Sequence, residues 1–212
     1  VAIGQVAQRN LANGYGPLGE ALDALQRHAE ALRWYERENK LLADLRSRHP
    51  QVKALVARLD ESDRDLALQQ VLTGQVADGV ARFRALDQRL GPPSAPKDAD
   101  DAKYALVRAR VMLAAPRLPA TERDALVSQA QAGLQILRTE ASAEPFNALL
   151  AREAALGAHL LARALAPVDA AAACKLAAEA AAALDTLAQA QRLPATVQGR
   201  RQDAMRRASC KP

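Results

Sequence analysis

Aromatic side chains are nearly missing from this chain: two Phe, three Tyr and one Trp make up 3% of its 212 residues. Sheets draw their packing from aromatic and β-branched residues, so a β-rich fold is disfavoured. Alanine and leucine must build the core instead, on closely spaced helices. Long apolar runs are lacking too. The stretch from Val168 to Leu187 comes nearest, yet Asp169, Lys175, Glu179 and Asp185 interrupt it, and a bilayer span needs about 18 or more apolar residues in a row. No basic segment leading into an apolar one opens the chain. Val1 falls inside an amphipathic stretch, so the sequence reads as a domain excised from a longer protein, with any export signal or anchor expected upstream.

Chemistry-bearing motifs are equally scarce. His28, His49 and His159 lie far apart without ligand partners at metal spacing on their own helices, and the two cysteines stand elsewhere, which argues against zinc and for solvated or capping histidines. Serine occurs in no Gly-x-Ser-x-Gly turn, and the segment NGYGPLG lacks both the lysine and the preceding strand of a phosphate-cradling loop. No catalysis, no cofactor and no metal are expected. The net charge of +5 and the group Arg200, Arg201, Arg206, Arg207 and Lys211 would suit phosphate or an anionic membrane. Aromatics do not interleave with this group, however, and it lies beside the chain end, so exposed helix arginine is the simpler account and nucleic acid is not an expected partner. Trp34 beside Tyr35 is read as packing between helices in preference to a ligand stack.

What is present is a repeat. Leu18-Gly19, Leu22, Ala31 and Tyr35 are matched by Leu66-Ala67, Gln70, Gly79 and Phe83, at an offset of 83 − 35 = 48 residues. Small residues at Ala31 and Gly79 permit close helix approach, and an aromatic one turn later fills the gap, the pattern of repeated helix hairpins. Carrying the offset backwards pairs a long helix over 51–73 with one over 3–25, in which Gly14, Gly16 and Pro17 predict a kink or short break. Downstream, Gly91-Pro92-Pro93-Ser94-Ala95-Pro96 marks the main linker. Helices are then expected over 101–115, from Thr121 (opened by a Thr-Glu-Arg-Asp capping box) to Ser142, from Glu144-Pro145 to Leu165, and over 169–191. The fold class is therefore all-α, an α-solenoid of stacked antiparallel helix hairpins. Residues 1–90 form two long hairpins, 91–100 the Pro-rich linker and 101–212 further hairpins of the same solenoid.

A turn between Arg192 and Leu193 would set Cys174 and Cys210 at similar heights on facing helices, 18 and 17 residues away from it. With about 1.5 Å of rise per residue, their mismatch is under one turn, within reach of a disulfide. The alternative is two free thiols in a reducing cytosol. A bridge would favour an extracytoplasmic setting.

Gly19, Ala31, Tyr35 and Pro50 resemble the small, small, aromatic and proline positions of the tetratricopeptide repeat, and Gly79 and Phe83 resemble a second copy. Departures are plain: the repeat exceeds the usual length, Glu38 and Asp87 stand where alanine is preferred, and Gln70 replaces a large side chain. The wording QRHAEALRWYERENKLLADLRSRHP is also similar to the arrays C-terminal to bacterial transmembrane serine/threonine kinases of the eukaryotic type. That resemblance implies a non-catalytic sensor or docking domain of a membrane signalling protein, periplasmic or otherwise extracytoplasmic (cytoplasmic being the alternative), with no membrane insertion of this segment itself. A structural scaffold of a cell-envelope or secretion assembly is the alternative function. The tetratricopeptide register implies a groove presenting Asn13, Glu20 and Asp23 from one repeat and Glu61 and Arg64 from the next, suited to a protein or peptide carrying Lys or Arg. Solvated helix faces would carry the same residues.

If Cys174 and Cys210 are bridged, alkylation in denaturant before reduction should label neither, and after reduction both, as read by intact mass. Two alkylatable thiols in an oxidised sample would exclude the bridge.

Overall fold

The computed structural model describes residues 14–91 and 94–208. Asn13 and Cys210 lie outside the described residues. Among the described residues every regular element is helical: α1 (14–24), α2 (His28–Arg48), α3 (Lys53–Leu72), α4 (Val76–Leu90), α5 (Ala99–Met112), α6 (Ala120–Ala143), α7 (Ala148–Leu165), α8 (Ala170–Gln189), a 3₁₀ turn (Ala195–Val197) and α9 (Gln198–Ala208). The expected all-α class is therefore present, and on each side of the connection between α4 and α5 helices adjacent in the chain pack on one another. The chain divides into two units, Val1–Pro92 and Pro93–Pro212.

In the first unit the 48-residue offset reappears in the backbone. α1 and α3 end at 24 and 72, and α2 and α4 begin at 28 and 76. Between them the chain turns through a left-handed residue, Gln26 (φ 62°) in the first copy and Gly74 (φ 90°) in the second. The closing hydrogen bonds repeat as well: Arg27 N donates to Leu22 O at 2.9 Å and Gln75 N to Gln70 O at 2.8 Å. Such a turn satisfies carbonyls that a helix end leaves unpaired. Arg82 on α4 meets Gln70 near the turn, and Arg89 about two turns further on meets Asp60, so α3 and α4 run antiparallel.

Small residues set how near the helices come. A Cβ on Gly79 would sit 2.6 Å from the Ala67 carbonyl oxygen, and one on Gly19 2.9 Å from the Tyr35 ring. Leu22, Ala31, Leu32, Tyr35 and Leu66 form one buried cluster, with Trp34 packed against it. Trp34 also faces Tyr15, ring centroids 5.3 Å apart, and carries the Arg37 guanidinium over its ring at 4.6 Å. The aromatic pair is thus engaged in packing.

In the second unit α6 packs on α5 and on α7, and α7 touches both α5 and α9. Gly133 on α6 would place a Cβ 3.0 Å from the Ala102 carbonyl oxygen of α5, and Gly157 on α7 fits under Leu106, Leu134 and Leu137. The core is Ala and Leu: Ala102, Leu106, Ala109, Leu134, Ala158, Leu161, Ala177 and Leu184 are all buried.

Several sequence-based boundaries need correction. Residues 14–24 are helical, so no break falls at Gly16 or Pro17, and the segment before Gly14 lies outside the described residues. The expected capping box at Thr121 does not form; α6 starts after Pro119, whose fixed φ suits that position, with no side-chain cap. α7 opens at Ala148, not Glu144, because Asn147 accepts hydrogen bonds from the Leu149 and Leu150 N–H groups. Asp98 and Asp169 cap α5 and α8 in the same way.

The repeated turn makes a test. A side chain at positive φ costs about 1–2 kcal/mol, so Gly74→Ala should destabilise by roughly 1 kcal/mol. Gln26→Gly should stabilise, by less, because glycine also loosens the unfolded chain. Urea unfolding of the two variants measures both, and a neutral Gly74→Ala would contradict the turn geometry.

Candidate functional site: a charged cluster around Tyr35

Gly19 has no side chain, so the Tyr35 ring of α2 lies directly against α1 and is buried. Burial pushes the Tyr35 hydroxyl above its ordinary value, and the charges of Asp65, Asp23, Glu20 and Glu38 push it the same way. Four carboxylates from three helices therefore surround one phenol. Glu38 is itself buried and accepts from Arg58 Nη2 at 2.7 Å, while Arg58 Nη1 donates to Glu61 at 3.0 Å. α1 closes over this pair, since a Cβ on Gly16 would fall 2.6 Å from Arg58 Nη2 and 2.7 Å from Glu38 Oε1. Arg64 donates to its neighbour Asp65 at 2.9 Å. Desolvation raises the Glu38 and Asp65 carboxyls above their ordinary values despite these guanidinium partners.

The expected groove residues are placed unequally. Glu20 and Glu61 are exposed, and Arg64 is half-buried. Asp23 is buried: its Oδ1 accepts from Gln69 Nε2 at 2.8 Å and lies 3.0 Å from His28 Nδ1. It ties α1 to α3 and to the start of α2 and is no groove-facing group. Glu20, Asp23, Glu61 and Arg64 nevertheless belong to one electrostatic cluster through Tyr35 and Arg64 itself. Sequence reasoning missed Glu38, Arg58 and Asp65. The signal for Glu38 was available, because it stands where the repeat pattern prefers alanine.

A second polar centre, on the α3–α4 side, is internally satisfied. Asp63 accepts from Asn39 at 2.9 Å, Arg82 at 2.8 Å and Arg89 at 2.5 Å, and Arg89 also reaches Asp60 at 2.9 Å. An open cleft of about 370 Å³ lies beside it, lined by Asp63, Gln70, Asp78, Arg82 and Arg89.

One of the three histidines departs from the expectation of solvated or capping groups. His49 follows α2 at its C-cap, but His159 is buried on α7 of the second unit, with Nε2 3.4 Å from Asp203 of α9. Among the described residues no three His, Cys, Asp or Glu side chains are grouped to hold a metal, and no helix is long and apolar enough to cross a membrane. Cys174 lies half-buried on α8. No family model, curated protein or solved structure matches this chain.

His159 gives the chain a pH dependence. Desolvation holds its imidazole well below the ordinary value of 6.5; Asp203 opposes the shift, and Arg163, Arg207 and Arg200 reinforce it. Below pH 6.5 the unfolded chain takes up a proton that the folded chain refuses. The stabilisation, complete above that pH, is therefore lost as pH falls toward the depressed folded value, with a slope of up to ~1.4 kcal/mol per pH unit. Between pH 6.5 and 5 the stability of the second unit should decline, and His159→Leu should flatten that decline. An unchanged slope in the variant would remove His159 as its source.

Proposed function

We propose that this chain is a non-catalytic protein- or peptide-binding domain, a sensor or docking element of an extracytoplasmic part of a bacterial membrane signalling protein of the serine/threonine kinase type. The observation that carries the binding role is the Tyr35 cluster. The carboxylates of Glu20, Asp23, Glu38, Glu61 and Asp65 outnumber the guanidinium groups of Arg58 and Arg64, and two of the carboxylates, Glu20 and Glu61, reach solvent. Excess negative charge on partly desolvated helix faces is complementary to a Lys- or Arg-bearing segment, and charge-assisted hydrogen bonds to it would be stronger than neutral ones. The kinase part of the reading is supported by the wording of residues 26–50. It predicts a membrane span preceded by a kinase catalytic loop upstream of Val1, and a lipoprotein signal there would overturn it.

Asp23 is needed for the fold, so the binding test uses the exposed pair. A panel of extended peptides bearing Lys and Arg, with matched peptides bearing Gln, should show preferential binding of the basic members. Glu20→Gln combined with Glu61→Gln should weaken that binding by about tenfold or more while the melting temperature stays nearly constant. Equal affinity for basic and neutral peptides, or indifference to the double substitution, would reject the acidic surface.

A further inference from the structure

The 48-residue offset of the first unit holds for turns and core but fails along one seam. Where the first copy has Arg33, Trp34, Arg37 and Leu41, the second has Ala81, Arg82, Ala85 and Arg89, and Tyr15 is matched by Asp63. In the first copy the seam is filled. The Tyr15 and Trp34 rings face each other, and the Arg37 guanidinium covers the Trp34 ring. In the second copy the aromatic pair is replaced by an ion pair, Arg82 Nη1 to Asp63 at 2.8 Å, and alanine stands where the first copy has Arg33 and Arg37. Ala81 and Ala85 line the cleft of about 370 Å³ between α3 and α4, so the cleft is space that larger side chains occupy in the other copy.

Its polar groups are fixed by buried ones. Asp63 and Gln70 are buried. Asp63 accepts from Arg82 through Oδ1 and from Arg89 through Oδ2, and Gln70 accepts from Arg82 Nε at 3.3 Å. Arginines seven residues apart on α4, about 10 Å in helix rise, are thereby drawn to the two oxygens of one carboxylate. The ion pairs of Asp63 are complete in themselves, but Arg82 Nη2, Arg89 Nη1 and the exposed Asp78 take no part in them. The charged groups lining the cleft are two carboxylates, Asp63 and Asp78, and two guanidinium groups, Arg82 and Arg89. Their charges cancel, so a lone ion finds no net complement, whereas a ligand with a separated positive and negative end matches both signs.

We propose that this cleft takes a short zwitterionic peptide, with its terminal carboxylate on Arg82 and Arg89 and its ammonium group on Asp78. Guanidinium groups already held on one side offer their remaining N–H donors as a preformed fork for a second carboxylate. Asp78 precedes the midpoint of Arg82 and Arg89 by seven to eight residues, roughly 11 Å of rise along α4, and an extended tripeptide spans about 10 Å. Ala81 and Ala85 leave room for its backbone between the charged ends. The inference stands apart from the acidic surface at Glu20 and Glu61, whose ligand carries Lys or Arg side chains.

The test titrates the full chain calorimetrically with trialanine, N-acetyl-trialanine and trialanine amide. The free peptide should bind, and blocking either terminus should weaken binding by about tenfold or more. Asp78→Asn should lose as much affinity for the free peptide and no longer distinguish it from the acetylated one. Ala85→Leu, which refills the cleft at an exposed helix position, should abolish binding while the helix content read by circular dichroism stays constant. Combining Glu20→Gln with Glu61→Gln should leave trialanine binding unchanged, and a loss there would move the peptide to the acidic surface and overturn the cleft. No heat from trialanine at millimolar concentration, equal binding of the blocked peptides, or wild-type affinity in Asp78→Asn or Ala85→Leu would refute the site. The basic-peptide test at Glu20 and Glu61 is untouched by any of these results.

Discussion

Among the described residues, close helix crossings fall where one helix presents little or no side chain, and much of each unit follows from those crossings. Gly19 lets the Tyr35 ring lie on α1, Gly79 brings α4 onto the Ala67 carbonyl of α3, and Gly133 brings α6 onto the Ala102 carbonyl of α5. With so few aromatics to span gaps, a wider spacing would leave voids that alanine and leucine cannot fill, and voids in a core are costly. The glycine and alanine positions therefore decide which helix faces which.

Close crossings also decide where polar groups are trapped. Gly16 brings α1 over the Arg58–Glu38 pair, and Gly19 brings it over Tyr35. Carboxylates that would be solvated on a lone hairpin become desolvated between three helices, which is why Glu38 and Asp65 sit above their ordinary values. Replacing buried ionic groups by apolar ones is often neutral or stabilising. Their presence in an otherwise Ala- and Leu-built interior is thus a departure from what the fold alone needs, and such departures concentrate at functional sites.

The repeat in unit 1 was legible because it is written in residue size. Ala31 against Gly79 and Tyr35 against Phe83 fix an offset that the helix ends, the turn hydrogen bonds and the two left-handed residues all obey. Helix starts were less legible where two signals competed. Glu144-Pro145 and Asn147 both resemble openings, and the side-chain acceptor of Asn147 prevailed because it pairs two otherwise unsatisfied N–H groups. The site was legible as a set of charges and not as a surface. Spacing along α1 puts Glu20 and Asp23 on neighbouring turns but does not show that Gln69 and His28 claim Asp23 from other helices.

The same distinction separates the arginines. In the sequence, Arg200, Arg201, Arg206 and Arg207 form a cluster and Arg110 is one residue among many. In the structure, Arg201 is held by Asp185, and Arg206 and Arg207 by Asp203. Arg206 and Arg207 are thus paired within α9 itself, and Arg201 with the neighbouring α8. Arg110 forms no ion pair with any carboxylate described and its Nε is buried without a hydrogen-bond partner, although nothing in the sequence sets it apart from Arg108 two residues before. Linear clustering reports the density of charge. Recognition of an oppositely charged group depends on charge left uncompensated after folding, which the packing of the helices sets and linear spacing does not.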